Sequence, residues 1–350
     1  MPQWVDEDCD DVVDVPLTRP NKTSAEEGEI LLVKTDEEYI EVNNVRLFSL
    51  DEVALDKFTN CTSLSMRKNL IHDLTPLPEC LYHNLLELDL FDNKVRLLAS
   101  SFFLPFQRLT KLDLSYNQIK VIDGLDALGP TLKELFLVEN RIKVVQGLGH
   151  LVNLRLLELG GNRIREIGNG LDALVDLEQL WLGKNKVASL GNSFHNLKKL
   201  KLLSLQANRL TEVSESAFPA GCNPSLQELY LSENGLTVID HLQHLNNLHI
   251  LDVSFNPITA LNSNILSPEN FPQLEEFWMS DGRLSDWKEV DKLRCFQETL
   301  GTVYLERNPI EQDKRYRDKV YMALPFLHQI DSWPVVNKGN VEADRAIHRR

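Results

Sequence analysis

Residues 228–236 read ELYLSENGL and residues 156–164 read LLELGGNRI, two copies of one phrase that recurs along the chain. The phrase is LxxLxLxxNxI/L, in which an asparagine follows three positions after a pair of alternating leucines. The asparagine falls at Asn69, Asn93, Asn117, Asn140, Asn162, Asn185, Asn208, Asn234, Asn256 and Asn308. Successive copies are 22 to 26 residues apart. The last interval, of 52 residues, is the length of two repeats of 26 residues, and Gly282 occupies the asparagine position between them. With a degenerate copy around Val45, the chain has about twelve repeats of 22–26 residues.

The phrase predicts a short strand in every repeat. In LxL both leucines point into the core and the residue between them points to the opposite face. One such strand cannot bury its own leucines, so neighbouring repeats must stack, and the asparagine can satisfy backbone groups where the strand turns away. This period and phrase are typical of the leucine-rich repeat. The predicted fold class is α/β, a curved leucine-rich-repeat solenoid with a parallel concave sheet and 3₁₀ or short helices on its convex side.

The repeats also set the domain boundaries. The sequence predicts a disordered acidic arm (1–35), the solenoid (36–312), a C-terminal cap (313–333) and a flexible tail (334–350). Residues 1–29 hold nine acidic and two basic residues, a net charge of −7, and they lack the repeat phrase. In the cap, Tyr316, Val320, Ala323 and Leu324 fall at helical spacing, Pro325 ends the helix, and Leu327 and Ile330 predict an edge strand.

Composition and motifs exclude several classes of function. The formal net charge of −15 disfavours binding to a nucleic-acid backbone or an anionic membrane. The five cysteines form no CxxC pair, no apolar stretch is long enough to cross a membrane, and the N-terminus does not resemble a signal peptide. We therefore expect a soluble intracellular protein. No nucleotide, hydrolase, kinase or metalloprotease motif is present, so the sequence predicts no cofactor, no metal site and no enzymatic activity.

The residues between the paired leucines predict a binding surface. In chain order they are Ser65, Asp89, Asp113, Phe136, Glu158, Trp181, Ser204, Tyr230, Asp252, Trp278 and Tyr304. Glu87, Glu134, Glu228 and Glu276 lie two residues earlier in their strands and share the same face. Strands favour aromatic residues in any case, but aromatic side chains in a row on an uncovered face are typical of protein interfaces. Acids beside aromatics predict a folded partner that offers Lys or Arg next to apolar groups.

Several stretches carry a resemblance to a known family. They are LELGGNRI, LWLGKNKV, LSLQANRL, LYLSENGL and EEFWMSDGRL, followed by VYLERNPIEQDKRYRDKVYMALPFLHQID. Together they resemble the leucine-rich-repeat family known as regulatory subunit 7 of type-1 serine/threonine protein phosphatase. The resemblance covers about residues 36–333, and the run EFWM followed by VYLERNP is its most specific part.

The resemblance implies both a partner and a contact surface. In that family the concave column binds the catalytic subunit of the phosphatase. The contact pattern falls here on Asp113, Phe136, Glu158, Trp181, Asp252, Glu276, Trp278 and Tyr304, and the column itself adds Tyr230. The pattern has Phe where this chain has Trp181. The resemblance also implies a ternary complex with a small disordered inhibitor of the same phosphatase, and a location in nucleus and cytoplasm.

Two alternatives stay open at this point. The chain could be another capped intracellular leucine-rich-repeat scaffold, such as the leucine-rich subunit of a spliceosomal ribonucleoprotein. It could also be an enzyme with a site in the acidic arm or a metal held by the concave acids. The first leaves the EFWM and VYLERNP run unexplained, and the second lacks a recognisable set of catalytic residues.

Overall fold

A computed structural model describes residues 12–16, 30–34 and 37–335 of the chain. The chain divides into two compact units, unit 1 (Met1–Leu177) and unit 2 (Glu178–Arg350). Each unit is a stack of repeats whose strands are three residues long or shorter.

The repeats of unit 1 place six parallel strands side by side in chain order. These are β3 (Tyr39–Glu41), β4 (Ser63–Ser65), β5 (Glu87–Asp89), β6 (Lys111–Asp113), β7 (Glu134–Phe136) and β8 (Leu156–Glu158). The return segments contain helices α1 (Glu79–Asn84) and α2 (Ser100–Phe103) and 3₁₀ turns at Leu50–Glu52, Leu55–Lys57 and Asp126–Leu128. Short helical turns in the return segments agree with the sequence prediction.

Two further strands lie in the predicted acidic arm. They are β1 (Val12–Pro16) and β2 (Ile30–Lys34), which pair antiparallel. The prediction of a disordered arm did not include them; the runs VVDVP and ILLVK that form them are apolar and rich in β-branched residues, which favour strands. The rest of the predicted arm lies outside the described residues, as does the predicted tail from residue 336 onward.

Unit 2 repeats the same arrangement. Its parallel strands are β9 (Gln179–Trp181), β10 (Leu202–Ser204), β11 (Glu228–Tyr230), β12 (Ile250–Asp252), β13 (Glu276–Trp278), β14 (Thr302–Tyr304) and β15 (Gln329–Ile330). Strand β16 (Trp333–Pro334) closes the edge antiparallel to β15. Its helices are α3 (Trp287–Asp291) and α4 (Tyr316–Ala323), with 3₁₀ turns at Lys292–Phe296 and Pro309–Gln312.

The alternation of buried and outward residues follows the LxL pattern. The central residue of each three-residue strand is in the core, as Leu229 and Phe277 are, both with no exposed surface. Pairing keeps equivalent residues opposite each other, so that Leu229 faces Leu251 and Tyr230 faces Asp252. Outward residues of successive repeats therefore form rows, each on one face of its sheet.

The repeated asparagines are structural, as the sequence predicts. Asn117 donates from Nδ2 to the carbonyl of Leu114 in its own repeat (3.0 Å) and to that of Leu90 in the preceding one (3.0 Å). Its Oδ1 accepts from the backbone N–H of Val95 at 2.9 Å. The same pattern occurs at Asn69, Asn93, Asn140, Asn162, Asn208, Asn234, Asn256 and Asn308. One amide thus ties two repeats together while satisfying buried backbone groups.

Helix α4 covers the end of the sheet in unit 2. Val320 and Leu324 are fully buried, and the hydroxyl of Tyr316 donates to Asp331 Oδ2 at 3.0 Å. Asp331 Oδ1 in turn accepts from the backbone N–H groups of Leu305 (2.8 Å) and Glu306 (3.0 Å). The helix expected here ends at Ala323, two residues before Pro325, and β15 occupies the position of the expected edge strand.

Candidate functional site

The outward face of the sheet in unit 2 carries a cluster of aromatic and acidic side chains. We call it the aromatic–acidic patch, made of Glu228, Tyr230, Asp252, Glu276, Trp278 and Tyr304. Strands β11 to β14 bring these residues together, because pairing places Tyr230, Asp252, Trp278 and Tyr304 in one row. Residues separated by 22 to 26 positions in sequence thus become immediate neighbours.

The aromatic rings of the patch contact one another. The ring of Trp278 lies edge-on to that of Tyr304, with centroids 5.3 Å apart. On its other side it approaches Tyr230, with centroids 6.0 Å apart. Tyr230 and Trp278 lie two strands apart, about 9.6 Å by strand spacing alone, so their rings must lean towards each other over the intervening strand.

Hydrogen bonds hold these rings in place. Trp278 donates from Nε1 to Glu276 Oε2 at 2.9 Å, and the hydroxyl of Tyr230 donates to Glu228 Oε2 at 2.8 Å. The side-chain amide of Gln329 donates to the Tyr304 hydroxyl at 2.8 Å. Burial and the bond to Glu228 raise the pKa of Tyr230, so its hydroxyl stays protonated and keeps donating. The patch is therefore ordered before any partner arrives, which reduces the entropy cost of binding.

Asp252 is more buried than we expect from the sequence for an outward residue. Its exposed fraction is 7%, and its Oδ1 accepts from the backbone N–H of Ser254 at 2.9 Å. The rings of Tyr230 and Trp278 lean over its strand from both sides and cover this short side chain. Glu228 and Glu276, which are half-buried, are the carboxylates of the patch with more surface to offer.

Trp181 lies on the same face of unit 2 but outside the ring cluster. It is half-buried on β9, with its Nε1 donating to Gln179 Oε1 at 3.4 Å. Strand β10 separates it from Tyr230 and contributes only Ser204 to the row, which is 1% exposed. Of the predicted site residues of unit 2, Trp181 is therefore the one that the structure does not bring into the patch.

The remaining predicted site residues form a row in unit 1. Asp113, Phe136 and Glu158 end strands β6, β7 and β8 and are register partners in succession. Burial, with the negative charge of Asp113, raises the pKa of Glu158, and burial likewise raises the pKa of Asp89 beside Asp113. In both carboxylates burial is the larger cause, since it removes the hydration that stabilises the negative charge. This face therefore favours an incoming cation.

Basic side chains already contact the face of unit 1 at its edge. The guanidinium of Arg67 lies 3.5 Å from an Asp89 carboxylate oxygen and 4.3 Å from the ring centroid of Phe91. Lys111 Nζ lies 5.8 Å from the ring centroid of Phe136. These pairs are examples within the chain of the cation–aromatic and cation–carboxylate contacts that a basic partner would make.

Sequence reasoning missed one aromatic pair. Phe91 and Tyr116 contact each other with ring centroids 4.9 Å apart, and Tyr116 is 47% exposed. Tyr116 lies directly before Asn117 and Phe91 lies two positions before Asn93, so neither is between the paired leucines. The missed signal is the residue directly before the asparagine, which is aromatic at Tyr116 and again at Phe255, 48% exposed.

An enzyme of the kind considered above would need a metal site or an activated nucleophile. Within the described part of the chain, no group of three His, Cys, Asp or Glu residues is arranged to hold a metal ion. Burial raises the pKa of the Cys61 thiol to about 11, which makes it a poor nucleophile at neutral pH. None of the helices between residues 37 and 335 is long and apolar enough to cross a membrane.

The chain is similar in sequence to leucine-rich-repeat families and to several named proteins. Family profiles described as leucine-rich repeat match residues 96–217 and 198–258. The Arabidopsis thaliana protein named protein phosphatase 1 regulatory inhibitor subunit PPP1R7 homolog is 36% identical over 129 residues, 35% of this chain and 38% of that protein. The Saccharomyces cerevisiae protein named protein phosphatase 1 regulatory subunit SDS22 is 35% identical over 111 residues, 32% of each chain. The human protein phosphatase 1 regulatory subunit 7 is 49% identical over 49 residues, 14% of this chain and 13% of that protein.

These relatives confirm the resemblance inferred from the sequence. The matches span about a third of the first two relatives, and the names describe regulatory rather than catalytic subunits, in agreement with the prediction that the chain is not an enzyme.

Solved structures confirm the fold. A leucine-rich-repeat protein of Leptospira interrogans superposes with a TM-score of 0.60 and 26% identity, covering 81% of this chain and 75% of that one. An internalin of Listeria monocytogenes gives a TM-score of 0.59 at 18% identity, covering 88% and 90%. The predicted class, a leucine-rich-repeat solenoid, is therefore correct.

Proposed function

Because the chain is a leucine-rich-repeat protein related in sequence to the regulatory subunits of protein phosphatase 1, we propose that it is itself a non-catalytic regulatory or scaffold subunit. It binds the catalytic subunit of type-1 serine/threonine protein phosphatase through the outward face of its sheets. Asp113, Phe136 and Glu158 contribute from unit 1, and Trp181, Tyr230, Asp252, Glu276, Trp278 and Tyr304 contribute from unit 2.

One observation carries most weight for this face. Trp278 lies between two tyrosines, with centroid distances of 6.0 and 5.3 Å, and beside the carboxylate of Glu276. Trp and Tyr at the centre of a patch, rimmed by polar groups, are the usual hot spots of protein interfaces. The ordering of these rings by hydrogen bonds supports a partner that is itself folded and presents Lys or Arg beside apolar groups.

Burial of Asp252 refines its role in the proposal. Its carboxylate lies under the rings of Tyr230 and Trp278. The negative charge therefore attracts an approaching cation, but the cation cannot contact the carboxylate directly. We assign direct contact with basic groups to Glu228 and Glu276 and electrostatic support to Asp252. Glu228 was not among the predicted contact residues, and its bond to Tyr230 is the reason for including it.

The proposal includes two further parts that follow from the family resemblance alone. The complex also takes up a small disordered inhibitor of the same phosphatase, and the chain acts in nucleus and cytoplasm. Co-purification of three components from extract, and imaging of a tagged chain, test these two statements independently of the binding face.

A charge-reversal titration tests the face. The double variant Glu228→Lys/Glu276→Lys reverses two carboxylates of the aromatic–acidic patch, and we expect calorimetric titration with the purified catalytic subunit to show at least a hundredfold weaker binding. The matched control is Glu212→Lys/Glu215→Lys, which makes the same charge change at two exposed positions of unit 2 outside the patch. We expect the control to lose less than threefold.

Equal losses in both variants would mean that only net charge matters, and unchanged binding in the patch variant would remove the patch from the interface. Wild-type protein that does not bind the catalytic subunit at all would overturn the proposal. The alternative of another leucine-rich-repeat scaffold, such as a spliceosomal ribonucleoprotein subunit, would then take its place.

A further inference from the structure

A row of basic side chains follows the asparagine turns of unit 1. The third residue after the asparagine is Arg96, Lys120, Lys143 and Arg165 in four successive repeats, and all four are exposed. The first residue after the asparagine adds Lys94, Arg141 and Arg163. This surface is independent of the patch and of the proposed function.

Backbone hydrogen bonds stack these segments in register. The N–H of Gln118 donates to the carbonyl of Val95 at 2.9 Å, and the N–H of Arg141 donates to that of Ile119 at 2.8 Å. The same bond joins Lys94 to Ile71 and Arg163 to Ile142, both at 2.8 Å. Side chains at equivalent positions are therefore about 4.8 Å apart along the row.

Exposed aliphatic side chains accompany the basic row. Leu97 is 80% exposed, Val121 48% and Val144 51%. A cavity of about 590 Å³ lies between Arg96, Leu97, Lys120, Val121 and Arg141, and a second of about 500 Å³ continues from it past Arg96 towards Phe48 and His72. We call this surface, from His72 to Arg165, the basic groove.

The fold does not require positive charge at these positions. In unit 2 the third residue after the asparagine, or after Gly282, is Ala188, Thr211, Thr237, Thr259 and Ser285. Carboxylates of the chain neutralise little of the groove. Among the residues that the structure describes, Lys94 pairs with Asp92 at 3.9 Å and His72 with Asp73 at 2.8 Å, both towards the Phe48 end of the groove, whereas its arginines, Lys120 and Lys143 make no ion pair. A row of cations with so few partners, in a chain of net charge −15, is a surface for an acidic ligand.

We propose that the basic groove binds the acidic N-terminal segment of the same chain, residues 1–11. This segment reads MPQWVDEDCDD, with five acidic residues, no basic residue, and Trp4 and Val5 as apolar anchors. Its composition matches the groove in charge and in apolar character. The cations of the groove can pair with its carboxylates, and the exposed aliphatic side chains can pack against Trp4 and Val5. A polynucleotide would match the cations and leave Leu97, Val121 and Val144 without a contact.

The connection of the segment to unit 1 favours this occupant. Strand pairing places Val12 opposite Lys34, which is three residues before Glu37, where the described repeats begin. The segment is therefore joined through the hairpin to the first repeat of unit 1, and that repeat contributes Phe48 to the groove. Eleven residues extend to about 36 Å, whereas five stacked repeats span about 19 Å. A tether this short raises the effective concentration to about the millimolar range.

Zero-length cross-linking of the full chain tests the proposal. A carbodiimide at low ionic strength joins carboxylates to lysines in contact, and peptide mapping identifies the pairs. We expect links from residues 6–11 to Lys94, Lys120 and Lys143, and their loss in 0.5 M salt. The variant Arg96→Gln/Arg141→Gln keeps the lysines as targets but removes two cations, and we expect these links to fall at least fivefold.

The matched control is Arg209→Gln/Arg283→Gln, which removes two exposed arginines at the first position after the asparagine, or after Gly282, in unit 2. We expect it to leave the links unchanged. Links from residues 6–11 that spread over the lysines of unit 2, such as Lys198 and Lys288, would overturn the proposal. So would links found only in a covalent dimer, because the segment would then bind a second copy.

A competition titration gives an independent measurement. A synthetic peptide of residues 1–11 is titrated into the full chain and into a full-length variant with Asp6, Glu7, Asp8, Asp10 and Asp11 changed to the matching amides. We expect at least fivefold tighter binding to the variant, because its own segment no longer competes. Equal affinity for both chains, or no binding to either, would contradict the proposal.

Discussion

At the scale of single residues, each major ring of the patch is fixed by a partner that shares its face. Glu228 and Tyr230, like Glu276 and Trp278, are two positions apart on one strand, so their side chains emerge side by side. The carboxylate that orients the ring also supplies the negative charge next to it. Ring and charge are therefore presented to a partner as one unit.

We expect Trp278→Ala to weaken binding to the phosphatase catalytic subunit by about 2–4 kcal/mol, as for an interface hot spot. Its ring contacts with Tyr230 and Tyr304 are also lost, and such aromatic pairs contribute about 0.5–1.5 kcal/mol each. The free energy of unfolding should therefore fall by about 1–3 kcal/mol. Calorimetric titration and denaturant unfolding measure the two effects separately.

Phe277→Ala is the control for this variant, because Phe277 precedes Trp278 and is fully buried. A cavity left by a buried phenylalanine costs about 3–5 kcal/mol of stability. If Trp278→Ala unfolds as early as Phe277→Ala and binds normally once folded, the assignment of faces is wrong.

The charge at Glu158 gives a pH-dependent prediction. Burial and Asp113 raise its pKa in the folded state, so its contribution to stability is present below the unfolded pKa, about 4.3, and is lost as the pH rises through the folded value. Glu158→Gln cannot ionise, so at pH 7 its free energy of unfolding should equal or exceed that of the wild type. Urea unfolding between pH 4 and 7.5 measures the difference.

Binding should respond in the opposite sense. At pH 7 we expect Glu158→Gln to bind the catalytic subunit severalfold more weakly, and the two chains to converge as the pH falls, because the wild-type carboxylate then takes up a proton. A variant that is clearly less stable than the wild type at pH 7 would show that the carboxylate stabilises the fold and contradict this account.

At the scale of elements, each repeat depends on its neighbour for backbone satisfaction as well as for packing. Asn308 shows this, since its amide donates to the carbonyl of Met279 in the preceding repeat and accepts from the N–H of Leu284. Helix α4 and the β15 segment take the place of a neighbouring repeat after the last strand of the repeats, β14. Val320 and Leu324 cover the core, and Asp331 accepts from the N–H groups of Leu305 and Glu306.

We expect a chain that ends at Asp313 to aggregate or to unfold without cooperativity. The truncation removes α4 and β15 and exposes the core residues Val303 and Leu305, which are fully buried in the intact chain. Repeat arrays without a terminal unit are generally insoluble. Solubility and circular-dichroism melting measure the outcome.

The control chain ends at Val335, the last described residue, and should fold as the full chain does. A milder variant, Tyr316→Phe, removes only the hydroxyl that donates to Asp331 and should cost about 0.5–1.5 kcal/mol of stability. Cooperative unfolding of the chain that ends at Asp313 would show that residues 314–333 are not needed to cover the core.

At the scale of the whole molecule, charge is divided among three regions. Residues 1–29 carry −7 of the net −15, the outward faces carry acids beside aromatic rings, and the basic groove carries a row of cations with few carboxylate partners among the described residues. A basic partner on the outward face and an acidic segment in the groove therefore use different surfaces. Removing the segment should leave the outward face intact.

We accordingly expect deletion of residues 1–29 to change phosphatase binding less than threefold and the melting temperature only slightly. The deleted residues lie outside the repeats and contribute none of the asparagine bonds. Thermal melting and titration with the catalytic subunit test this. A loss of tenfold or more, about 1.4 kcal/mol, would place the segment in the phosphatase interface.

The amino-acid sequence by itself determined the repeats, the short strands, the structural role of the asparagines and the row of outward residues. All of these depend on local periodicity: alternation of two fixes the face of each residue, and the repeat length brings equivalent residues into register. The family resemblance was equally accessible, because it rests on contiguous runs such as EFWM and VYLERNP.

The tertiary structure alone decided how much of each outward residue is accessible, and which charges gather. Asp252 is covered because rings from the two neighbouring strands lean over it, and Trp181 stands apart because the intervening strand offers only a serine. The basic groove is built from side chains 22 to 24 positions apart, which look like isolated charges until stacking places them about 4.8 Å from one another. Side-chain size and charge on adjacent repeats, rather than the pattern within one repeat, control these features.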